Sequence, residues 1–303
     1  MKDSNRPTIL EANLLYLILG ILLFLLGSYV QRREIYSGLL ITEYLIIMLP
    51  NLIFLKIKGL SLKDTLRLNK ISLKQIAYIV LIMIFSYPIA VFLNTLVLNI
   101  LNLFGEPSIS TVPIPDTKEK YLLSLFVIGL TPGICEEIMF RGTILRAYER
   151  IGKAKAIIYS AVLFGIFHLN LQNLLGPIFL GFILATILYK TNSIFASMMA
   201  HGISNTIAMT LGYFATKIQS SAGDVAAYEI PYKVQLLLSL VWFSIIALIS
   251  SFVLRKLLKN LPGSEVNFDI VEKQEENISI LSFLPILLIL VLFIIIQVKY
   301  LYV

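Results

Sequence analysis

Two adjacent acidic residues, Glu136 and Glu137, stand in an apolar stretch of the sequence, and Arg141 follows them within it. If this stretch crosses a membrane, a charged residue near the middle of the helix costs roughly 2.5 to 3.5 kcal/mol on insertion scales. Charged side chains inside membrane segments usually belong to a chemical site or to an ion pathway. The pair therefore predicts either catalysis or ion handling.

The chain contains two histidines, His168 and His201, and both fall within apolar stretches. Phe164 lies four residues before His168, so the two share a helix face. A solitary histidine on an apolar helix is more often a packed core residue than a catalyst. Two histidines together with two glutamates in apolar segments favour one shared site.

Helical spacing assigns different tasks to these residues. Glu137 and Arg141 are four residues apart, so they share a helix face and can form an ion pair. Glu136 is rotated by about 100° from its neighbour and stays free for another task. His201 and Asn205 are also four apart, which places an imidazole and a carboxamide about 6 Å from each other on one face.

A proline and a glycine directly precede the glutamates in the run Thr131-Pro132-Gly133. Proline removes one backbone hydrogen bond of a helix, and membrane helices tolerate this where neighbouring groups satisfy the freed carbonyls. We therefore expect the helix to kink or loosen just before Glu136. Such a change would open backbone groups beside a cavity.

The residue types fit the hydrolysis of an amide bond. This reaction needs a general base to activate water, a partner that shares the proton, and donors for the developing oxyanion. Glu136 suits the base, a nearby histidine can share the proton, and His201 and Asn205 can donate N–H groups. No serine-histidine-aspartate triad is evident in the sequence.

A zinc site is an alternative use of the same residues. Two histidines and a glutamate, His168, His201 and Glu136, can bind zinc and leave the fourth position to water. The sequence lacks the His-Glu-x-x-His spacing of many metallopeptidases, so the ligands would come from three helices. The favoured reading has no metal and no cofactor.

Two non-enzymatic functions also remain open. A membrane scaffold or a bacteriocin-immunity factor would use the intramembrane charges to bind another membrane protein. A transporter would use Glu136, Glu137 and Arg141 as an ion or proton relay. The sequence shows no inverted repeat, and the polar groups of the candidate site cluster in only three predicted helices, both of which disfavour transport.

The composition predicts an all-α, polytopic membrane protein with a buried intramembrane active-site cavity. The chain is 58% hydrophobic and 14% charged, with a mean hydropathy of +0.86. Apolar runs long enough for a hydrocarbon core of about 30 Å predict about eight or nine transmembrane helices. They lie near 12–31, 38–56, 74–103, 121–147, 154–171, 173–190, 194–213, 232–258 and 279–303.

Basic residues predict the orientation. Lysines and arginines are concentrated in segments on the side of the N-terminus, so the positive-inside rule places that terminus in the cytoplasm. The net charge of +7 is then mostly a topology signal and a contact with anionic headgroups of the bilayer. Nucleic-acid binding is not expected.

Three short patterns occur in order on successive predicted helices: Glu136-Glu137-x-x-x-Arg141, Phe164-x-x-x-His168 and His201-x-x-x-Asn205. Together they resemble the CAAX protease and bacteriocin-processing family, also called Abi, of intramembrane endopeptidases. This family includes the type II CAAX prenyl endopeptidases. The resemblance covers roughly residues 120–213, about a third of the chain.

The resemblance implies a glutamate-dependent, metal-independent peptidase. In it Glu136 would activate water with help from His168, while His201 and Asn205 would form the oxyanion hole. The supporting residues would be Glu137 and Arg141, which orient the site, and Phe164, which shapes the pocket.

The resemblance also implies the partners and the localisation. Substrates would be hydrophobic or membrane-bound peptides and proteins, including prenylated C-termini and bacteriocin or pheromone precursors, in a prokaryotic cell membrane. We expect one membrane domain over 1–303. It would divide into N-terminal accessory helices (1–119), a catalytic core (120–213) and C-terminal helices (214–303).

Overall fold

The computed structural model describes residues 6–105, 107, 113–221, 230–263 and 279–300. Within these residues every regular element is a helix, which confirms the predicted all-α membrane bundle. Each of the predicted spans coincides with a helix, although residues 301–303 of the last span lie outside the described residues. In chain order the helices are α1 (Ile9–Arg33), α2 (Ile35–Ile57), α3 (Leu62–Thr65), α4 (Leu73–Leu101), α5 (Lys118–Ile151), α6 (Lys153–Phe167), α7 (Leu175–Thr191), α8 (Ile194–Ser221), α9 (Tyr232–Asn260) and α10 (Leu284–Tyr300).

Six helices of the described chain are long and apolar enough to cross a membrane, which is fewer than the predicted eight or nine. They are α1, α2, α4, α5, α9 and the segment Ile280–Lys299, which contains most of α10. Helices α6 and α7 have 15 and 17 residues, short of the about 20 that a hydrocarbon core requires. Helix α8 has 28 residues, but its polar residues, among them His201, Ser204 and Asn205, lower its hydropathy. Of the helices that carry the candidate site, α5 is one of these six, whereas α6 and α8 are not.

Local capping signals fix where the long helices begin. Thr8 caps α1, and its side chain and that of Glu11 each accept a hydrogen bond from the other's backbone N–H. Ser72 and Gln75 form the same reciprocal arrangement at the start of α4. These caps satisfy backbone donors that a helix start would leave unpaired. They set the entry points of α1 and α4 into the bundle.

An aromatic cluster at the centre of the bundle joins α1 to α5 and α6. Tyr16, Phe140 and Phe164 are fully buried, and the Phe140 and Phe164 rings meet edge to face with centroids 5.0 Å apart. The hydroxyl of Tyr16 donates to the Leu163 carbonyl at 2.8 Å, so its polar end is satisfied inside the core. Large apolar side chains remain exposed on the outer helices, including Trp242 on α9 at 62%. This is the distribution expected when lipid replaces water around the bundle.

A buried ion cluster ties the C-terminal end of α5 to the loop that follows α3. The carboxylate of Glu149 is fully buried and accepts hydrogen bonds from Arg67 and Arg146, each at 2.6 Å. The Tyr189 hydroxyl donates to it at 2.8 Å, and Arg6 lies 3.8 Å away. Because several donors converge on one carboxylate, this cluster fixes α5, α7 and the N-terminal segment relative to one another.

Candidate active site

Helix α5 changes its pitch on both sides of the two glutamates. It is π-helical over Leu125–Leu130 and again over Ile138–Ile144, with an α-helical segment, Thr131–Glu137, between them. Pro132 stands at the start of that segment, inside the continuous helix α5, where it offers no N–H to the preceding turn. The helix therefore loosens before Glu136, as the proline and glycine predict, but it does not break. Extra residues inserted as π turns re-aim side chains and often occur at functional sites.

Glu137 is held by two donors at a fully buried position. Arg141 Nη1 donates to Glu137 Oε1 at 2.9 Å, and His201 Nδ1 lies 3.0 Å from the same oxygen. Arg141 also donates through Nη2 to the Gly181 carbonyl of α7 at 3.2 Å. The ion pair predicted from the spacing of Glu137 and Arg141 is present, and it connects α5 with α7 and α8.

Glu136 is bound much less tightly than its neighbour. Its side chain keeps a small exposure, and no described group donates a hydrogen bond to the buried oxygen Oε2. The nearest basic atom is His201 Nε2, 3.9 Å from Oε2. The two glutamates thus have distinct surroundings: Glu137 is an anchored counter-ion, and Glu136 has a carboxylate available for proton transfer.

His201 lies between the two glutamates and connects them. Its Nδ1 faces Glu137, its Nε2 faces Glu136, and the ring is 2% exposed. The hydrogen bond to Glu137 fixes the orientation of the ring, because a carboxylate oxygen accepts and Nδ1 must then carry the proton. His201 is therefore the imidazole that approaches Glu136.

Phe164 occupies the centre of the site. Its ring meets the His168 ring edge to face with centroids 5.0 Å apart, and the His201 ring at 5.5 Å. The Arg141 guanidinium lies over the same ring, 4.8 Å from its centroid. One buried aromatic side chain thus sets the spacing of three polar residues. Its predicted role in shaping the pocket is compatible with this position.

His168 faces a more open part of the site than His201. It is exposed, at the C-terminal end of α6, and its Nδ1–H donates to the Phe164 carbonyl at 2.9 Å. This hydrogen bond leaves Nε2 with its lone pair free in the neutral ring. His168 and Glu136 do not form a direct ion pair or hydrogen bond in this structure. The expected assistance of His168 to Glu136 would have to act across the intervening space.

The loop after His168 is fixed by side chains of distant helices. Leu169 adopts a left-handed conformation with a φ of 50°, which turns the chain away from α6. Gln297 of α10 accepts from the Leu171 N–H and donates to the Leu169 carbonyl, both at 2.9 Å. On the other side Asn94 of α4 accepts from the Gly176 N–H at 2.8 Å. The loop is therefore set by α4 and α10, which lie outside the motifs.

Asn205 lies one turn after His201 on α8, as the spacing predicts. Its Nδ2 donates one proton to the Ile128 carbonyl at 3.1 Å. Ile128 belongs to the first π-helical segment of α5, so the side chain bonds to backbone of the loosened region. The amide has a second Nδ2 proton, which this hydrogen bond leaves available.

One glycine, Gly133, allows the helices of the site to approach closely. A Cβ atom at Gly133 would lie 2.9 Å from both the Gly202 nitrogen and the Met198 carbonyl oxygen of α8. Real side-chain atoms do not come this near to backbone, so only glycine permits this contact. Gly133 stands one turn before Glu137, and Gly202 follows His201. The contact thus sets the distance between the glutamates and the histidine.

Sequence reasoning missed a third carboxylate near the site, Glu43 of α2. Its side chain is buried, and its segment of α2, Thr42–Met48, packs against the Thr131–Glu137 segment of α5. Glu43 is itself an acidic residue within a predicted span, 38–56, and that signal was available in the sequence.

Cys135, beside Glu136, is fully buried with its sulfur 3.9 Å from that of Met48, so it packs in the core.

The alternative zinc ligands are not brought together. Among the residues that the structure describes, no three His, Cys, Asp or Glu side chains form a group that could hold a metal ion. Glu136 and His201 approach each other, but His168 is turned toward the Phe164 backbone. The donor set therefore does not fit a zinc site.

Comparison with known proteins agrees with the motif pattern. Residues 118–207 match the family described as "Type II CAAX prenyl endopeptidase Rce1-like". A protein of Bacillus subtilis (strain 168) named "Putative membrane peptidase YdiL" is 33% identical over 108 residues, which cover 35% of this chain and 44% of that protein. The chain thus matches less than half the length of this relative, and no solved structure matches it significantly. The two glutamates, both histidines and Asn205 all lie within the residues that are similar to the Rce1-like type II CAAX prenyl endopeptidases.

Proposed function

We propose that the protein is an intramembrane endopeptidase in which Glu136 activates a water molecule. This proposal rests on the different surroundings of the two glutamate side chains. Glu137 is neutralised by Arg141 and bound to His201, whereas Glu136 has no hydrogen bond within the described protein and faces an imidazole. An unengaged carboxylate in a largely dry site is suited to act as a general base.

In the proposed reaction, Glu136 accepts a proton from water while the water oxygen bonds to the carbon of the scissile amide. The carbonyl oxygen becomes an oxyanion, for which the second Nδ2 proton of Asn205 and Nε2–H of His201 are the donors. In this role the His201 ring is protonated at both nitrogens, because Nδ1 donates to Glu137. Glu136 then returns its proton to the amine as the C–N bond breaks, so the proton count balances.

His168 would assist from the other side of Phe164. Its Nδ1–H is committed to the Phe164 carbonyl, so Nε2 can accept a hydrogen bond from the attacking water. This arrangement would orient the water toward the substrate while Glu136 removes its proton. The role does not require direct contact between His168 and Glu136.

The substrate class follows from the surroundings and from the family. The site lies within an apolar helical bundle, so a substrate must reach it as a hydrophobic or lipid-linked chain. The description of the matched family names prenyl endopeptidases. A C-terminal peptide with a prenylated cysteine is therefore the first substrate to test. The N-terminus would face the cytoplasm of a prokaryotic cell, as the distribution of basic residues predicts.

The test is cleavage of a prenylated peptide by the full-length protein reconstituted in lipid vesicles. Glu136→Gln should lower the rate roughly 100- to 10,000-fold, the range that general-base catalysis contributes. Glu119→Gln, at the exposed start of the same helix, is the matched control and should cleave like the wild type. A metal chelator should have no effect.

Equal cleavage by the Glu136→Gln and Glu119→Gln variants would refute the proposed base. If the wild type binds the peptide without cleaving it, the site serves as a membrane scaffold instead. One experiment distinguishes these outcomes, because the vesicles can be sedimented and the peptide bound to them and the cleaved peptide can then be measured separately.

A further inference from the structure

The loop that follows α3 contacts both α5 and α8, and it lies outside the three sequence motifs. Helix α5 carries the two glutamates of the site, and α8 carries His201 and Asn205. The two helices pack against each other chiefly through the α5 segments Leu125–Leu130 and Thr131–Glu137. Farther along α5, residues 66–69 connect the two helices. We call these residues the bridging loop.

Two neighbouring side chains of the bridging loop contact α5. Leu66 is buried against Gly142, where a Cβ atom on the glycine would overlap Leu66 Cδ2. Arg67 Nη2 donates to the buried Glu149 carboxylate at 2.6 Å. Gly142 directly follows Arg141, and Glu149 lies about two turns farther along α5. The bridging loop is therefore joined to α5 over the turns that follow the glutamates of the site.

The bridging loop also holds the start of α8. The Arg67 carbonyl accepts from the N–H of Ile194, the first residue of α8, at 3.1 Å. Asn69 Nδ2 donates to the Asn192 carbonyl at 2.7 Å. The Ser193 hydroxyl donates to the Asn69 carbonyl. Arg67 thus bonds to α5 through its side chain and to α8 through its backbone.

The backbone of Arg67 has an uncommon conformation. Its φ is 54°, in the left-handed region that residues with a side chain rarely adopt. Asn192, on the α8 side of the contact, has a φ of 50°. Such conformations persist where the surrounding structure fixes them, and they are concentrated at functional sites. At Arg67 this turn lets the guanidinium reach one helix while the carbonyl reaches the other.

Glu149 has other partners besides Arg67. Arg146, three residues earlier on α5, donates to Glu149 Oε2 at 2.6 Å, the same length as the bond from Arg67. The Tyr189 hydroxyl adds a hydrogen bond at 2.8 Å. Arg146 belongs to α5 itself, whereas Arg67 belongs to a loop that is bound to α8. Only the bond from Arg67 therefore joins the two helices.

We infer that Arg67 is a positioning residue for the candidate site, because it links α5 to α8 outside the motifs. The Gly133 contact fixes the two helices at one point, and the bridging loop fixes them at a second. Glu136 and His201 lie between these two points along their helices. Two fixed points set the angle between the helices as well as their distance. The role in positioning rests on the proposed function, whereas the link between the helices does not.

Cleavage kinetics of two matched variants test the positioning role. Arg67→Gln and Arg146→Gln each remove one guanidinium from Glu149, but only Arg67→Gln loosens the link to α8. Because small displacements of reacting groups slow the chemical step, we expect Arg67→Gln to lower kcat roughly 10-fold with KM within about twofold. Arg146→Gln should keep kcat within about twofold of the wild type. Arg67→Lys, which retains a cationic donor, should lie between Arg67→Gln and the wild type.

The link itself can be measured without any substrate. Spin labels at Phe126→Cys on α5 and Phe195→Cys on α8, both exposed positions, report the distance between the helices by pulsed EPR in lipid vesicles. The labelled chain also carries Cys135→Ser, so that only the two introduced cysteines react. Arg67→Gln should broaden the distance distribution, and Arg146→Gln should leave it as in the wild type.

Asn69→Ala tests the link from the side of α8. It removes the hydrogen bond to the Asn192 carbonyl and leaves the ion cluster around Glu149 intact. Its distance distribution should broaden in the same direction as that of Arg67→Gln. A distribution that neither Arg67→Gln nor Asn69→Ala changes would overturn the link, as would an equal change in Arg146→Gln.

The two measurements separate the inference from the proposed function. A broadened distribution in Arg67→Gln, with a wild type that cleaves nothing, upholds the link and refutes the peptidase. An active wild type whose distribution and kcat are unchanged by Arg67→Gln refutes the positioning role and leaves the peptidase intact. An equal loss of kcat in Arg67→Gln and Arg146→Gln also refutes the positioning role, because it would assign the effect to the charge of Glu149 alone.

Discussion

The close contact between α5 and α8 gives the most demanding test of the site geometry, through Gly133→Ala. The added methyl carbon would stand 2.9 Å from the Gly202 nitrogen and the Met198 carbonyl oxygen, where ordinary contacts begin at 3.4 Å. Both neighbours are backbone atoms of a helix, so neither can rotate away. The helices must therefore separate by about 0.5 Å or more, the difference between these two distances.

This separation acts directly on the proposed catalytic pair. Glu136 follows Gly133 by three residues, and His201 precedes Gly202, so the distance of 3.9 Å between Glu136 and His201 must grow. Overpacking of this kind costs roughly 1 to 3 kcal/mol of stability. Misplacement of a reacting group by 1 Å can lower a rate about 100-fold. We expect Gly133→Ala to fold and to lose activity roughly 10- to 100-fold.

The assay is initial cleavage rate per folded molecule, with the folded fraction taken from thermal unfolding in the same detergent. Gly202→Ala is the matched control, because its added methyl carbon would meet Leu130 and Gly129 at 3.4 Å and beyond, in ordinary contact. It should retain most of the wild-type rate. Full activity of Gly133→Ala, or an equal loss in both variants, would refute the claim that this contact sets the distance.

Three further changes test other parts of the structure. Arg141→Lys should lower the free energy of unfolding by roughly 1 to 3 kcal/mol, since lysine cannot reproduce the hydrogen bonds to Glu137 and Gly181 together with the contact over Phe164. Glu149→Ala should cost roughly 3 to 5 kcal/mol, because it leaves the arginines of the ion cluster without their carboxylate. Both are measured by thermal or denaturant unfolding. Gln297→Ala should lower the cleavage rate by releasing the loop after His168, with little change in unfolding.

Specific outcomes would contradict these expectations. An Arg141→Lys variant as stable as the wild type would show that the fork of hydrogen bonds is dispensable. Unchanged unfolding of Glu149→Ala would mean that the ion cluster does not fix the end of α5. A normal rate in Gln297→Ala would show that the position of His168 does not depend on α10.

The sequence predicted the parts of the fold that depend on local signals. Apolar runs located the helices, and i, i+4 spacing correctly paired Glu137 with Arg141. The predicted eight or nine transmembrane helices exceed the six described helices that are long and apolar enough, because a run of apolar residues does not reveal that α6 and α7 are short. The polar side chains of α8 lower its hydropathy, and they include His201 and Asn205 of the candidate site.

The sequence patterns did not predict the packing of helices that are far apart in the chain. The π-helical turns of α5 and the contact at Gly133 determine which histidine approaches Glu136, and neither has a distinctive local signature. The position of Glu43 near the site depends on how α2 packs against α5, which no motif encodes. Reading every acidic residue within a predicted span as a candidate would have found it.

Cleavage in water enriched in oxygen-18 shows whether Glu136 activates the water molecule that enters the product. If Glu136 activates water, the wild type should place one heavy oxygen in the new C-terminal carboxylate of a prenylated peptide, as mass spectrometry would show. The Glu136→Gln variant should give no labelled product above background, while Glu119→Gln should match the wild type. Labelled product formed by Glu136→Gln at the wild-type rate would contradict the account.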